Sequence, residues 1–159
     1  MKRTLPALAG LALLLSLGAC SSGTDGLTGS AVKTYNLTYD AIRIQRQKKN
    51  DELQAVVITY VRAASTPNEE FPVIVVVNAP VPTGEQIDFM PPKGNIYREV
   101  DDGSTFPDPI TATIRFDSLD EVGGSASGKF NVTFTEDTGG VQHTLNGEFG
   151  GDVTLRSAN

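Results

Sequence analysis

The chain has 159 residues, a formal net charge of −6 and a single cysteine, Cys20. An acidic chain has no electrostatic attraction to nucleic acid or to an anionic membrane surface, which argues against both kinds of partner. The length suits one ordinary domain with its own hydrophobic core. The composition therefore predicts a single acidic domain that does not bind nucleic acid.

The chain opens on a basic and then apolar segment. Lys2 and Arg3 precede an apolar run from about Leu8 to Leu17. This order is typical of a secretory leader. The run is too short to span a bilayer, because a spanning helix needs ~20 apolar residues. We predict that residues 1–19 are a signal peptide that is removed from the mature protein.

A short motif ends this leader. The stretch Leu17-Gly18-Ala19-Cys20 resembles the lipobox of bacterial lipoproteins. The resemblance implies thioether lipidation of Cys20, cleavage before it and acylation of the new amino terminus. It also implies a lipid-anchored protein of the bacterial cell envelope, with Ser21 typical of delivery to the outer membrane. The alternative is an ordinary signal peptide that is cut elsewhere and leaves Cys20 as a spare thiol.

Removal of the leader changes the charge and leaves a polar start to the mature chain. Because Lys2 and Arg3 are lost with no acidic residue, the formal charge becomes 11 − 19 = −8. Lipidation of Cys20 would leave no thiol for a disulfide, a metal site or a nucleophile. Residues 20–30 are small and polar, and ten such residues span roughly 17 Å as a flexible coil. We expect the lipidated cysteine and a tether there, and a single domain over residues 31–159.

The first half of this domain shows strand patterns separated by polar or proline-rich turns. Tyr35, Leu37 and Tyr39 alternate with polar residues, which predicts a half-buried strand that continues towards Ile44. The segments 53–61 and 73–77 are apolar on both parities, which predicts strands covered on both faces. Shorter strands are expected at 85–90 and 96–100. Loops are expected around the prolines at 80–82, 91–92 and 107–109.

The last third has the cleanest alternation. Apolar residues occupy every second position in 110–116 and in 130–134, and the acidic, glycine-containing segment 136–140 predicts a hairpin turn between two strands. The final strand carries Val141, Leu145, Phe149, Val153 and Leu155 on one parity. Gly147 and Gly151 share that parity, which is typical of a bend or of close packing by another segment.

About eight strands follow one another without the helices that parallel crossovers need. This pattern predicts an all-β fold, an antiparallel β-sandwich of about eight strands, with a closed β-barrel as the alternative. The long first and last strands are candidates to share a sheet.

Few side chains indicate chemistry. The only histidine, His143, has no accompanying nucleophile or metal motif in the sequence. Two acidic loop clusters could hold Ca²⁺ if they met in space, although solvated turns fit their spacing better; they comprise Asp101, Asp102, Asp117, Asp120 and Glu121. Lys48 and Lys49 mark a basic turn that suits either protection of a sheet edge or contact with a partner. We therefore assign no catalytic residue, no metal ligand and no cofactor.

The predicted function is non-enzymatic: a binding or structural β domain that lipid on Cys20 holds at the membrane, with another envelope protein as a possible partner. Two alternatives remain open. A closed barrel could carry a small apolar ligand, which requires an apolar pocket of several hundred Å³. An enzyme with carboxylates supplied by separate loops would require two of them to face each other across a cleft.

Overall fold

The computed structural model describes residues 26–135 and 140–156. The predicted leader, Cys20 and most of the predicted turn at 136–140 lie outside these residues. The described elements, in chain order, are β1 (Leu27–Thr28), α1 (Ser30–Thr34), β2 (Ala41–Lys49), β3 (Glu52–Arg62), β4 (Glu70–Asn78), β5 (Gln86–Asp88), β6 (Gly94–Glu99), β7 (Pro109–Leu119), β8 (Ser125–Thr135) and β9 (Gln142–Arg156). The all-β class predicted from the sequence is confirmed.

The strands form one strongly curled sheet, a half-barrel. Their order is β5-β7-β8-β9-β2-β3-β4-β6, and β1 pairs with β9 beside this path. Neighbours are antiparallel except β2 and β9, which run parallel with Ile44 opposite Val153. The first and last long strands therefore do share a sheet, and β9 joins the two halves of the half-barrel.

The two halves face each other across one core, so the fold combines features of a sandwich and of a barrel. The ring of Tyr60 on β3 lies 6.1 Å from that of Phe130 on β8. The hydroxyl of Tyr60 donates to the carbonyl oxygen of Glu148 on β9 at 2.6 Å. Inward residues of β7, β8 and β9, such as Ile114, Val132 and Leu145, fill the space between them. The predicted alternation is wrong near the strand ends, where Ile110, Val141 and Leu155 are 47%, 52% and 54% exposed.

The strand β3 is covered on both faces, as its two-sided apolar run predicted. Every residue from Ala55 to Val61 is at most 7% exposed. The strand lies between β2 and β4, so its outward side chains are flanked by neighbours on both sides. In β4, Val73, Ile74, Val75 and Val77 are likewise buried, whereas Val76 is partly exposed.

The prediction of a strand through Tyr35, Leu37 and Tyr39 is wrong. The short helix α1 comes first, Asn36 follows it in the left-handed conformation (φ 50°), and β2 begins only at Ala41. Leu37 is fully buried because the segment folds over one open end of the half-barrel. A half-buried loop that packs against an end of a sheet can show the same alternation as a strand.

The folded domain also begins earlier than the expected tether boundary. Leu27 is 2% exposed and lies in β1 opposite Gly147 of β9. The hydroxyl of Tyr39 accepts a hydrogen bond from the amide of Gly26 at 2.9 Å. Residues 26–30, which the sequence indicated as tether, therefore belong in large part to the domain.

The half-barrel has two ends that are used below. The helix end comprises α1 and the loop 100–108, which meet where the rings of Tyr35 and Phe106 pack edge to face at 5.2 Å. The hairpin end comprises the turn at Asn50–Asp51 and the loop 120–124, which meet where Lys48 pairs with Glu121. The strands between them, such as the 11-residue β7, hold the two ends apart.

Candidate binding sites

An apolar groove lies at the seam between the two edges of the curled sheet. It has a volume of about 390 Å³ and is walled mainly by Ala79, Pro80, Pro82, Ile87 and Pro92. Its size falls within the usual range of ligand-binding clefts, roughly 300–1,000 Å³. We call this feature the seam groove.

Charged residues mark the rim of the seam groove. Asp88 and Lys93 face each other there, with Nζ and Oδ2 3.9 Å apart, and both side chains are more than half exposed. The groove therefore offers an apolar floor and one charge of each sign at its edge.

The walls of the seam groove are fixed by backbone hydrogen bonds. The amide of Asn78 donates to the carbonyl oxygen of Lys93 at 2.8 Å, and its side-chain amide donates to that of Pro92 at 2.6 Å. Phe89 is fully buried, and its amide donates to the carbonyl oxygen of Ala112 on β7 at 3.0 Å. Proline rings restrict the backbone further, so the groove is largely preformed.

The strand β5 borders this groove with one side. It pairs with β7 on its other side and is the last strand of the sheet path at that edge. The residues 89–93 then cross the seam to β6, which is the last strand at the opposite edge. An edge strand beside a preformed apolar groove is a common arrangement for binding an extended peptide.

A buried arginine lies at the helix end. Arg98 is on the inward parity of β6 and is 7% exposed. Its guanidinium carbon lies 5.8 Å from the ring centre of Tyr35 and 5.7 Å from that of Phe106. Phe106 in turn stacks on Phe134 of β8 at 5.0 Å. Burial lowers the pKa of Arg98, although a guanidinium remains charged at any ordinary pH.

Arg98 differs from the arginines that are paired with a carboxylate. Arg43, Arg46, Arg62 and Arg115 each have one within 3.0 Å. Among the described residues, Arg98 has neither a carboxylate within 4.0 Å nor a hydrogen bond, and its Nε is fully enclosed.

His143 lies at the helix end as well. Its Nδ1 is 3.4 Å from the hydroxyl of Thr34, and its ring packs edge to face against Tyr35 at 6.2 Å. These contacts connect the start of β9 to α1. His143 is therefore one of the residues that hold the helix against the half-barrel.

The two lysines of the predicted basic turn, Lys48 and Lys49, have different surroundings at the hairpin end. Nζ of Lys48 lies 3.0 Å from Oε2 of Glu121, and Nη2 of Arg46 lies 3.0 Å from the other carboxylate oxygen. The hydrogen bond from Lys48 lowers the pKa of Glu121. Lys49 is exposed at the end of β2. Lys48 thus fastens the turn to the loop 120–124, and Lys49 is the member of the pair that faces solvent.

The two acidic clusters do not meet. Asp102 lies in the loop at the helix end and accepts hydrogen bonds from the amide and hydroxyl of Ser104 at 2.8 and 2.5 Å. Asp120 lies at the hairpin end and accepts from the amide of Ser125 at 3.0 Å. No group of three or more His, Cys, Asp or Glu side chains in residues 26–135 and 140–156 is arranged to hold a metal ion.

A second groove, of about 290 Å³, lies beside Gly26 on the outer face of β7, β8 and β9. Most of its lining residues are polar or charged, and some of them are paired. Asn131 donates to Asn146 at 2.5 Å, and Nε of Arg115 lies 2.8 Å from Asp117. This groove therefore differs from the seam groove, whose walls are mainly apolar.

Sequence reasoning missed both the seam groove and the arginine. The prolines at 80–82 and 91–92 were interpreted only as loops, and nothing local shows that they converge. The inward parity of Arg98 was visible beside Ile96, but its aromatic neighbours come from distant segments.

Comparison with known proteins gives no relative. No protein-family model matches the chain, and no curated protein or solved structure matches it significantly. Within the described part of the chain, no helix is long and apolar enough to cross a membrane.

Proposed function

We propose that this chain is a lipid-anchored protein of the bacterial envelope, delivered to the outer membrane, whose β domain is a non-enzymatic binding module. The leader and the motif that ends at Cys20 support the anchor. Gly26 is already fastened to the domain through Tyr39, six residues after Cys20. Because an extended chain spans at most ~3.6 Å per residue, the domain stays within about 22 Å of the anchor.

One observation supports the binding role: the seam groove lies beside the edge strand β5. The occupant that fits it is an extended segment of a partner envelope protein. Such a segment can pair with the outer side of β5 while an apolar side chain enters between the prolines. Since the mature chain has a formal charge of −8, a basic residue beside that apolar side chain would favour association.

The carrier of a small apolar ligand is the second candidate, and the volume and apolar walls of the seam groove favour it. The space between the two halves is filled by packed side chains such as Tyr60, Phe116 and Phe130, so a carried ligand would occupy the seam. The enzyme alternative has no such support, since the acidic clusters lie at opposite ends.

The anchor is tested by fractionation of cells that make the full chain. The variant Cys20→Ser should move from the membrane to the soluble fraction, because the acyl chains that hold the protein would be absent. Ser22→Ala is the matched control and should stay with the membrane. Retention of Cys20→Ser in the membrane pellet would contradict the anchor.

The groove is tested by site-specific photocrosslinking in intact envelopes. A photoreactive phenylalanine analogue replaces Ile87 in the seam groove or, as the matched control, Ile110, which is 47% exposed on β7. Crosslinks should form from position 87 and not from position 110, and they should map to one extended segment of one partner. Equal crosslinking from both positions would contradict a specific site.

A groove variant then separates the two occupants. Ala79→Asp places a charge in the apolar wall, and it should weaken binding of the identified segment by tenfold or more, about 1.4 kcal/mol. Unchanged binding would refute the groove as the docking site. A small apolar mass that copurifies with the parent protein but not with Ala79→Asp would favour the carrier instead.

A further inference from the structure

The unpaired guanidinium of Arg98 is the least explained charge in the described part of the chain. Only 7% of Arg98 is exposed to solvent. A charged group that leaves water normally acquires a counter-charge and hydrogen bonds, because its desolvation is otherwise uncompensated. The other strongly buried arginine, Arg46, has such partners at its two terminal nitrogens: Nη1 donates to the carbonyl oxygen of Asp120 at 2.7 Å and Nη2 pairs with Glu121. Its Nε, like that of Arg98, is buried without a hydrogen-bond partner among the described residues.

The nearby carboxylates are already engaged. Glu70 accepts from Nη1 of Arg62 at 2.7 Å, and it also accepts from the amide of Asp101 at 3.2 Å. Asp102 is held by Ser104. Both carboxylates act on Arg98 electrostatically, yet neither bonds to it. The residual positive charge is therefore available to an anion from outside the described residues.

The aromatic rings limit the shape of that anion. Tyr35 and Phe106 lie close to the guanidinium, within 5.8 Å of its central carbon. They add cation–π attraction to the charge of Arg98. A planar carboxylate can meet two N–H groups of the fork side by side, and aromatic walls suit an apolar group next to it.

We propose that Arg98 is the anchoring residue of a binding site for a carboxylate that carries an apolar or aromatic substituent, at the helix end of the half-barrel. The ligand contacts the part of the residue that is still exposed. The site is remote from the seam groove, so it does not depend on the proposed partner. Thr34, Tyr35 and His143 lie beside it and connect the site to α1.

The test uses the full-length protein in mild detergent with benzoate as the probe. Benzamide, which has the same shape without charge, is the matched control ligand. Benzoate should shift the ¹⁵N-detected Nε–Hε signal of Arg98 and raise the melting temperature, and benzamide should do neither. Inorganic phosphate is a separate arm. If phosphate binds and benzoate does not, the carboxylate assignment is refuted. If neither ligand shifts the Arg98 signal, the site itself is refuted.

Variants distinguish a binding role from a structural one. Arg98→Met removes the charge but keeps much of the length, so it should abolish the benzoate response and leave the free protein as stable as the parent or more so. Arg98→Lys keeps the charge but loses the fork, so it should bind benzoate at least tenfold more weakly. Arg46→Met, at the paired guanidinium, should lower stability and leave the benzoate response intact. A benzoate affinity that is unchanged in Arg98→Met, or a clear loss of stability in that variant, would overturn the proposal.

Discussion

The substitution Gly147→Ala probes how tightly the two halves of the half-barrel are packed. Gly147 lies on the inward parity of β9, and a methyl group built there would come 2.2 Å from Cε1 and 2.3 Å from Cζ of Phe130. Non-bonded carbon atoms normally lie about 3.5–4.0 Å apart. The ring of Phe130 is 3% exposed and faces Tyr60 across the core, so it has little room to move away.

The expected cost follows from two opposing effects. Overpacking of a core typically costs ~1–3 kcal/mol, and replacement of glycine by alanine returns ~0.4–1 kcal/mol through the unfolded chain. The net loss should be about 1–2 kcal/mol. For a domain of this size, this corresponds to a melting temperature lower by about 4–8 °C. Circular dichroism of the full-length protein during heating or urea titration measures it.

The chain offers a matched control and a rescue. Gly150 lies on the same strand, and the nearest atom to a methyl group there would be the carbonyl oxygen of Ala126, at 4.0 Å. Gly150→Ala should therefore leave stability unchanged or slightly raised. Phe130→Leu should partly relieve Gly147→Ala, so the double variant should lose less than the sum of the single losses. Equal stability of Gly147→Ala and Gly150→Ala would refute the packing described here.

Three further predictions concern polar groups. Hydrogen bonds from Arg43 lower the pKa of Glu69 from 4.5 to about 2, so the pair contributes stability above pH 4.5 that is lost as the pH falls towards 2. In urea titrations, the free energy of unfolding of Glu69→Gln should depend less on pH in this range. An unchanged pH dependence would contradict the pairing. Tyr60→Phe should cost about 1–3 kcal/mol in the same assay, because the partly buried hydrogen bond from Tyr60 to the carbonyl of Glu148 is lost. A neutral result would remove the Tyr60 contact as a link between the halves. Lys48→Ala should lower the free energy of unfolding only slightly, because Glu121 is exposed and its ion pairs are screened by solvent; a large loss of stability would contradict this screening.

The parts of the fold that followed from the sequence are those in which local pattern and burial agree. Residues 112–116 and 130–134 alternate because one face of each strand meets the core, whereas Ile110, expected on the same face, is 47% exposed. The two-sided apolar run of 55–61 reflects a strand with neighbours on both sides. The position of Gly147 on the inward parity correctly indicated close approach by another segment, which the ring of Phe130 provides.

The parts that could not be predicted depend on contacts between distant segments. A helix of five residues is too short to show helical periodicity, and Leu37 is buried only because the half-barrel has an end to cover. Leu27 pairs with β9 although its neighbours are small and polar. The seam groove unites residues from 78–82, 87–88 and 92–93, each of which looks like an ordinary loop or short strand by itself.

The most direct test of the proposed function is the mass of the amino terminus of the protein from its own membranes. Proteolysis and mass spectrometry should find a first peptide that begins at Cys20 and carries a thioether-linked diacylglycerol and an amide-linked acyl chain. This result would place the half-barrel on a lipid anchor six residues before Gly26. A first peptide that begins elsewhere, or one that contains Cys20 as a free thiol, would contradict the account.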